Sequence, residues 1–202
     1  MGEASEPPAR WQVLGSEHLF RRPWLTLRRD RLRAPTGAVI EEYYVWEYPP
    51  WVNVVAITTD DRLVLIRQYR HALGETHYEL PAGVMDPTDP DPLAAARREL
   101  LEETGYGGGA WSPLLTSSAN PATHNNLTHS FLAIGVAPVA DATPDATEDL
   151  EVSLVSRAEA RELATCGGIV QSLHLAALLT YLFVRAEPGA ETGAEAGERA
   201  LV

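Results

Sequence analysis

The chain has 202 residues, a formal net charge of −12, and a hydrophobic fraction of 45% against 22% charged, which is the composition of a globular protein with a substantial core. That acidity argues against a general nucleic-acid binder, because such proteins need basic charge to neutralise phosphates, whereas a small phosphorylated ligand remains possible through local arginines or metal-bound acids. A single cysteine excludes an internal disulfide framework and fits a reducing compartment. No apolar run reaches the roughly 18 residues of a membrane span and no signal peptide is visible, so the expected address is cytoplasmic, without membrane partners.

Residues 1–9 are polar with two prolines, and 187–202 form a Gly/Ala/Glu-rich acidic tail; both are expected to be loose. An N-terminal β region is predicted over 10–50, followed by the main domain over 51–186. Its strands are Trp11–Phe20, Thr26–Arg33 and Val39–Tyr48, with a turn at Pro35-Thr36-Gly37. Residues 52–69 read as a hairpin turning at Asp60-Asp61, and a short strand precedes Pro81. Asp91 as N-cap, Pro92 at the first helical position and Gly105 as the stop bound a helix over 92–104. Leu93, Ala96, Leu100 and Thr104 are its expected inner face. Strands follow near Ala110–Thr116, Leu127–Val136 and Glu151–Val155. Ser156 and Glu159 form a capping box, Cys166 reads as a small part-buried hydrophobe, and 170–185 is an apolar helix. Strands in runs with few helices between them indicate an α+β fold with a mixed sheet.

The helix over 92–104 works against its own electrostatics. Glu99, Glu102 and Glu103 fall three and four apart, so they converge on one patch. Glu102 and Glu103 also sit in the last turn, where the helix dipole disfavours carboxylates by about 0.3–1 kcal/mol each. A solvated acidic face with Arg98 paired to Glu102 would be the ordinary explanation. A divalent cation held by oxygen ligands, Mg²⁺ or Mn²⁺, would instead turn the repulsion into binding energy.

The same residues carry a family resemblance. Gly83-Val-Met-Asp-Pro-Thr-Asp89, followed by Arg98-Glu-Leu-Leu-Glu-Glu-Thr-Gly-Tyr106, resembles the Nudix box of the Nudix hydrolases. The loop half departs twice: Asp89 stands where the family usually has glutamate, and one extra residue, Pro90, lengthens the spacing. Arg67-Gln-Tyr-Arg70 before Glu79-Leu-Pro-Ala-Gly83 resembles the ADP-ribose pyrophosphatase branch, as do Pro121, Asn120–Asn126 and Thr147–Val152.

The resemblance implies a Nudix-type α/β/α sandwich with an N-terminal antiparallel strand region. It implies Mg²⁺-dependent hydrolysis of the pyrophosphate bridge in ADP-ribose or a related nucleoside diphosphate sugar. By the same resemblance Glu99, Glu102, Glu103 and the carbonyl of Ala82 hold the metal, and Arg98 orients the glutamates. Glu148 is the candidate general base, with Glu151 as the alternative. Glu79, Arg67 and Arg70 belong to the substrate side; a separation of three along a strand lets at most one arginine face the site, and Arg70 is favoured. Trp46 is the candidate for base stacking, and Trp24 and Trp51 lie in the same region. A homodimer with swapped N-terminal strands is expected from the branch. The arginine-rich stretch Phe20–Arg33 reads equally as a phosphate-attracting surface or as the polar faces of two strands. GDP-mannose, an oxidised nucleoside triphosphate, or a catalytically silent nucleotide-sensing role are the alternatives.

Overall fold

The computed structural model describes residues 9–185 apart from 24 and 146, so the expectations for residues 1–8, Trp24 and 187–202 lie outside the described residues. Three strands, β1 (Gln12–Arg22), β2 (Leu25–Arg33) and β3 (Val39–Trp46), form an antiparallel sheet of their own. Of its side chains only Asp30 and Leu32 are buried, while Trp11, Val13, Phe20, Val39 and Tyr44 stay exposed.

The main sheet is built on β4 (Trp51–Thr58) and β5 (Leu63–Arg70). Residues 52–58 and 63–66 are buried throughout, because apolar runs of this kind fit a central strand covered on both faces. The tight connection between them places Asp61 at φ 59, a left-handed position that aspartate tolerates better than most residues. β6 (Glu75–Glu79) pairs with β5, and the short β7 (Ala82–Val84) pairs with β4. Adding β8 (Tyr106–Ser117), β9 (Thr128–Pro138) and β10 (Leu150–Val155) gives the order β10-β5-β4-β9-β8. β4 and β9 are parallel while the neighbouring pairs are antiparallel, so the sheet is mixed as expected.

Helix α1 (Pro92–Thr104) covers one face, over Val52, Val54, Ala56, Val64, Phe131 and Ala133. Helices α2 (Arg157–Thr165) and α3 (Ser172–Thr180) cover the other, over Val55, Ile57, Leu63, Leu65 and Leu132. This is the expected α/β/α layering. Local chemistry sets the helix ends: the Asp91 carboxylate accepts from the Ala94 N–H, and both halves of the Ser156/Glu159 capping box form. Gly105 closes α1 at φ 74, where a Cβ would also lie 2.3 Å from the Ala140 carbonyl oxygen.

Three expectations are corrected. β8 starts directly after Gly105, at Tyr106, because cross-strand pairing with β9 overrides the poor strand propensity of Gly107–Gly109. The apolar helix over 170–185 is shorter, ending at Thr180 in a π-helical turn over Tyr181–Arg185. Cys166 is exposed, since it caps the C-terminal end of α2 instead of packing beneath it.

The segment after β3 is clasped by the 120–126 loop. Trp46 N–H donates to the Thr123 carbonyl at 2.7 Å, Tyr48 N–H to Asn125 Oδ1 at 3.0 Å, and Asn126 Nδ2 to the Pro49 carbonyl at 3.0 Å. These bonds tie the N-terminal sheet to the main domain. Among the described residues no helix is long and apolar enough to cross a membrane.

Candidate active site

The last turn of α1 points its acids at the β6–β7 connection. The inner face of the helix is Ala95, Ala96, Leu100, Glu103 and Thr104, with the expected Leu93 only half-buried, so an acid joins the buried side at a position outside the expected inner face. Glu103 is 3% exposed, and its Oε2 accepts the Ala82 N–H at 2.9 Å. Burial pushes this carboxyl up to about 9; the neighbouring Glu99 and Glu148 push the same way, against the Ala82 hydrogen bond and Arg70. Burial also pushes the Glu99 carboxyl up, against the pull of Arg98.

Arg98 organises the acids from the solvent side. Its Nη1 donates to Glu99 Oε1 and Glu102 Oε2 at 2.9 Å each, and its Nη2 to the Val84 carbonyl at 3.0 Å. Its other partner is Asp89, through Nη2–Oδ2 at 2.9 Å and Nε–Oδ1 at 3.3 Å. The departures in the box loop therefore leave its ion pair intact, although aspartate is one methylene shorter than glutamate. Asp89 also accepts the Asp86 N–H at 2.8 Å, which folds the loop back on itself. Gly83 lies beneath Glu99: a Cβ there would stand 2.2 Å from the Glu99 carboxylate, so only glycine leaves that carboxylate its place.

Among the described residues no three His, Cys, Asp or Glu side chains stand in metal-holding geometry, and the guanidinium of Arg98 bridges Glu99 and Glu102. The donor chemistry nevertheless fits a hard divalent cation. Glu99, Glu102, Glu103 and the Ala82 carbonyl offer only oxygen, and a buried carboxyl among other carboxylates is stabilised as the anion once a cation adjoins it.

Strand β5 separates the two candidate arginines. Arg70 Nε donates to Glu79 Oε1 at 2.7 Å, Nη2 donates to Oε2, and the guanidinium feels the charges of Glu103 and Glu148. Arg67 turns the other way, to Glu151 at 3.0 Å and over the Tyr78 ring at 5.3 Å. Glu151 is thereby engaged in an exposed pair on the β10–β5 edge. Glu148 is half-buried, accepts the Asp145 N–H at 3.1 Å, and lies within electrostatic reach of Arg70, Glu99 and Glu103.

Trp46 packs parallel to Tyr48, with centroids 6.4 Å apart, and edge-on to His124 at 6.5 Å, beside the 120–126 clasp. The arginines of Phe20–Arg33 form the polar faces of strands. Arg28 pairs with Asp30 and Glu47, Arg29 with Glu17 and Glu42, and Arg31 with Glu41. A concavity of about 400 Å³ lies over several of these pairs, away from the acid cluster, and its arginines are already matched by glutamates. His174 of α3 is the polar residue that sequence reasoning passed over. A histidine inside an otherwise apolar helix was its only signal, and it lies against Glu79.

Known proteins resemble this chain in sequence and in fold. Residues 47–171 match the NUDIX domain, and residues 11–46 match the nucleoside diphosphate sugar hydrolase N-terminal domain. The ADP-ribose pyrophosphatase of Mycobacterium tuberculosis (strain ATCC 25618 / H37Rv) is 31% identical over 170 residues, covering 84% of this chain and 82% of that protein. A CMP-5'-(N-acetyl-N-hydroxy-3-aminopropyl)phosphonate hydrolase of Streptomyces rubellomurinus (strain ATCC 31215) is 30% identical over 185 residues, covering 89% and 87%. A crystal structure of an ADP compounds hydrolase superposes with a TM-score of 0.76 at 23% identity, covering 87% of this chain and 94% of that one. NUDIX hydrolases generally use divalent metal ions. The matched domains and the box on α1 make this chain a member of the NUDIX hydrolase family.

Proposed function

We propose that this protein hydrolyses the pyrophosphate bridge of ADP-ribose or a related nucleoside diphosphate sugar, with Mg²⁺ as cofactor and Mn²⁺ able to replace it. The observation that carries this reading is the convergence of Glu99, Glu103, Arg70 and Glu148 around the β6–β7 connection. Glu99, Glu102, Glu103 and the Ala82 carbonyl would hold the divalent ion, which would supply positive charge against the two phosphates and lower the pKa of the attacking water.

The remaining steps belong to the chain. Arg70, anchored on Glu79, presents its planar fork to phosphate oxygens. Arg98 keeps Glu99 and Glu102 together and ties them to the loop through Asp89 and Val84. Glu148 accepts the proton as water oxygen bonds to phosphorus, and the P–O bond of the bridge breaks toward the departing phosphate. The products are a nucleoside monophosphate and a sugar phosphate. Arg67 and Glu151 stabilise the β10–β5 edge and take no part in this scheme. Trp46 and Tyr48 offer an aromatic face to the base.

A second copy of the chain completes the particle. Exposed Trp11, Val13, Phe20 and Tyr44 on a sheet with almost no core of its own support a homodimer formed through the N-terminal strands. Sedimentation equilibrium of purified protein should return a dimer; a monomer at micromolar concentration removes the swapped-strand arrangement.

A second reading replaces adenosine by cytidine, because the CMP-phosphonate hydrolase is as similar to this chain as the ADP-ribose pyrophosphatase and covers slightly more of it. Assay with Mg²⁺ against ADP-ribose, other ADP-sugars, GDP-mannose, CMP-linked phosphonates and an oxidised nucleoside triphosphate decides between them. ADP-ribose should be the preferred substrate and release nucleoside monophosphate. Preference for a CMP compound selects the second reading, and no turnover of any compound overturns the enzymatic proposal.

A further inference from the structure

Glu79 is a buried anion whose protein partners come from two directions. It is 2% exposed, and a carboxylate so far from water persists only when donors surround it. Arg70 supplies two of them through Nε and Nη2, along one edge of the guanidinium, and the side chain stays 46% exposed. Glu103 and Glu148 lie within electrostatic reach of the same guanidinium. From the opposite side, helix α3 brings His174 Nδ1 to 3.6 Å from Glu79 Oε2. His174 is 5% exposed, and its Nδ1 has no hydrogen-bond partner. Burial, the largest influence on this ring, holds the imidazole neutral by pushing it down to about 4. A neutral imidazole has one N–H to give, and the Glu79 Oε2 acceptor lies 3.6 Å from Nδ1.

From this arrangement we infer that His174 is a positioning residue for substrate phosphate: its Nδ1–H fixes the Glu79 carboxylate, which in turn fixes the fork of Arg70. The contact at 3.6 Å is longer than a hydrogen bond, and contacts of this kind tighten when a site fills. Phosphate oxygens drawing on the outer guanidinium N–H groups weaken the hold of Arg70 on Glu79 Oε2, and His174 supplies the replacement donor. Without it the guanidinium is pulled toward Glu103 and Glu148, whose charges already act on it. The inference rests on the proposed pyrophosphate chemistry for its substrate, but its geometry belongs to the protein alone.

Three readouts test it. In ¹⁵N-histidine protein, long-range ¹H–¹⁵N spectra should show His174 as the Nδ1–H tautomer; the Nε2–H tautomer overturns the contact. His174→Leu, similar in size without a donor, should raise the KM for ADP-ribose about tenfold while kcat stays within about threefold of the wild type. His174→Asn, which keeps a donor near Nδ1, should restore most of the KM although it places a more polar group in the core and lowers Tm. A purely packing role predicts the reverse ranking, with leucine tolerated and asparagine impaired, and KM tracking Tm across the series overturns the proposal. The Kd of inorganic pyrophosphate with Mg²⁺ reads the same arrangement without turnover. If the wild type hydrolyses none of the substrates, the functional reading fails, while an unchanged Kd in His174→Leu sinks the positioning role.

Discussion

Glu103→Gln is expected to lower kcat about 10³-fold while leaving the metal-free protein at least as stable as the wild type. The two halves of this result have one origin. Glu103 is buried beside Glu99 and Glu148, so its charge is costly until a cation neutralises it. Glutamine keeps an oxygen for the Ala82 N–H and removes the charge. The pH dependence follows with a definite sign. The folded carboxyl titrates at about 9, against an ordinary value of 4.5. Between those values the unfolded chain releases a proton that the metal-free folded state retains. Stability on this group's account is therefore greatest below about 4.5 and falls as pH rises toward 9, by up to about 1.4 kcal/mol per pH unit. Metal binding expels the proton and offsets the loss. Thermal melts in chelator from pH 5 to 8 should show a steeper decline for the wild type than for Glu103→Gln. Mg²⁺ should raise the wild-type Tm more than that of the variant. Wild-type turnover in Glu103→Gln would overturn the metal assignment, as would identical pH slopes and identical Mg²⁺ shifts.

Glu148→Gln should lower kcat by about 10²–10⁴, the range of a lost general base, with KM changed less than about threefold. Glu148 adjoins the cluster from the segment before β10, where its electrostatic neighbours include Glu99, Glu103 and Arg70. Glu151→Gln should do little, because Glu151 spends its charge on Arg67 at an exposed edge. Single-turnover measurements on the two variants separate proton transfer from product release. The assignment is lost if Glu151→Gln proves the more damaging.

The extent of α1 was legible because its signals are local. Asp91, Pro92 and Gly105 act on backbone groups within a few residues, and the structure places the helix over Pro92–Thr104. The capping box of α2 and the β4–β5 hairpin were readable for the same reason. Where an element draws its stability from distant partners, the local pattern misled. β8 runs through three glycines because β9 pairs with it, and α3 gives way to a π-helical turn within a largely apolar stretch.

The site divides along the same line. Spacing alone put Glu99, Glu102 and Glu103 on one face of α1, with Arg98 one turn from Glu102, since residues three and four apart on a helix must be neighbours. It also separated Arg67 from Arg70, because a strand alternates its faces. Only the tertiary structure could bury Glu103 against Ala82, fit Glu99 over Gly83, and show that Asp89 still reaches Arg98 in the altered loop. Only it could set Glu148 within electrostatic reach of Glu99 and Glu103, leave Glu151 on Arg67, and bring His174 to Glu79. Periodicity reports which side chains share a face of one element, and so the sequence alone determined the acid-rich helix and the chemistry it suggests. Burial, and the pairing of charges carried on separate elements, arise when sheet and helices close around each other, and that step decided which of those charges are buried and which are paired.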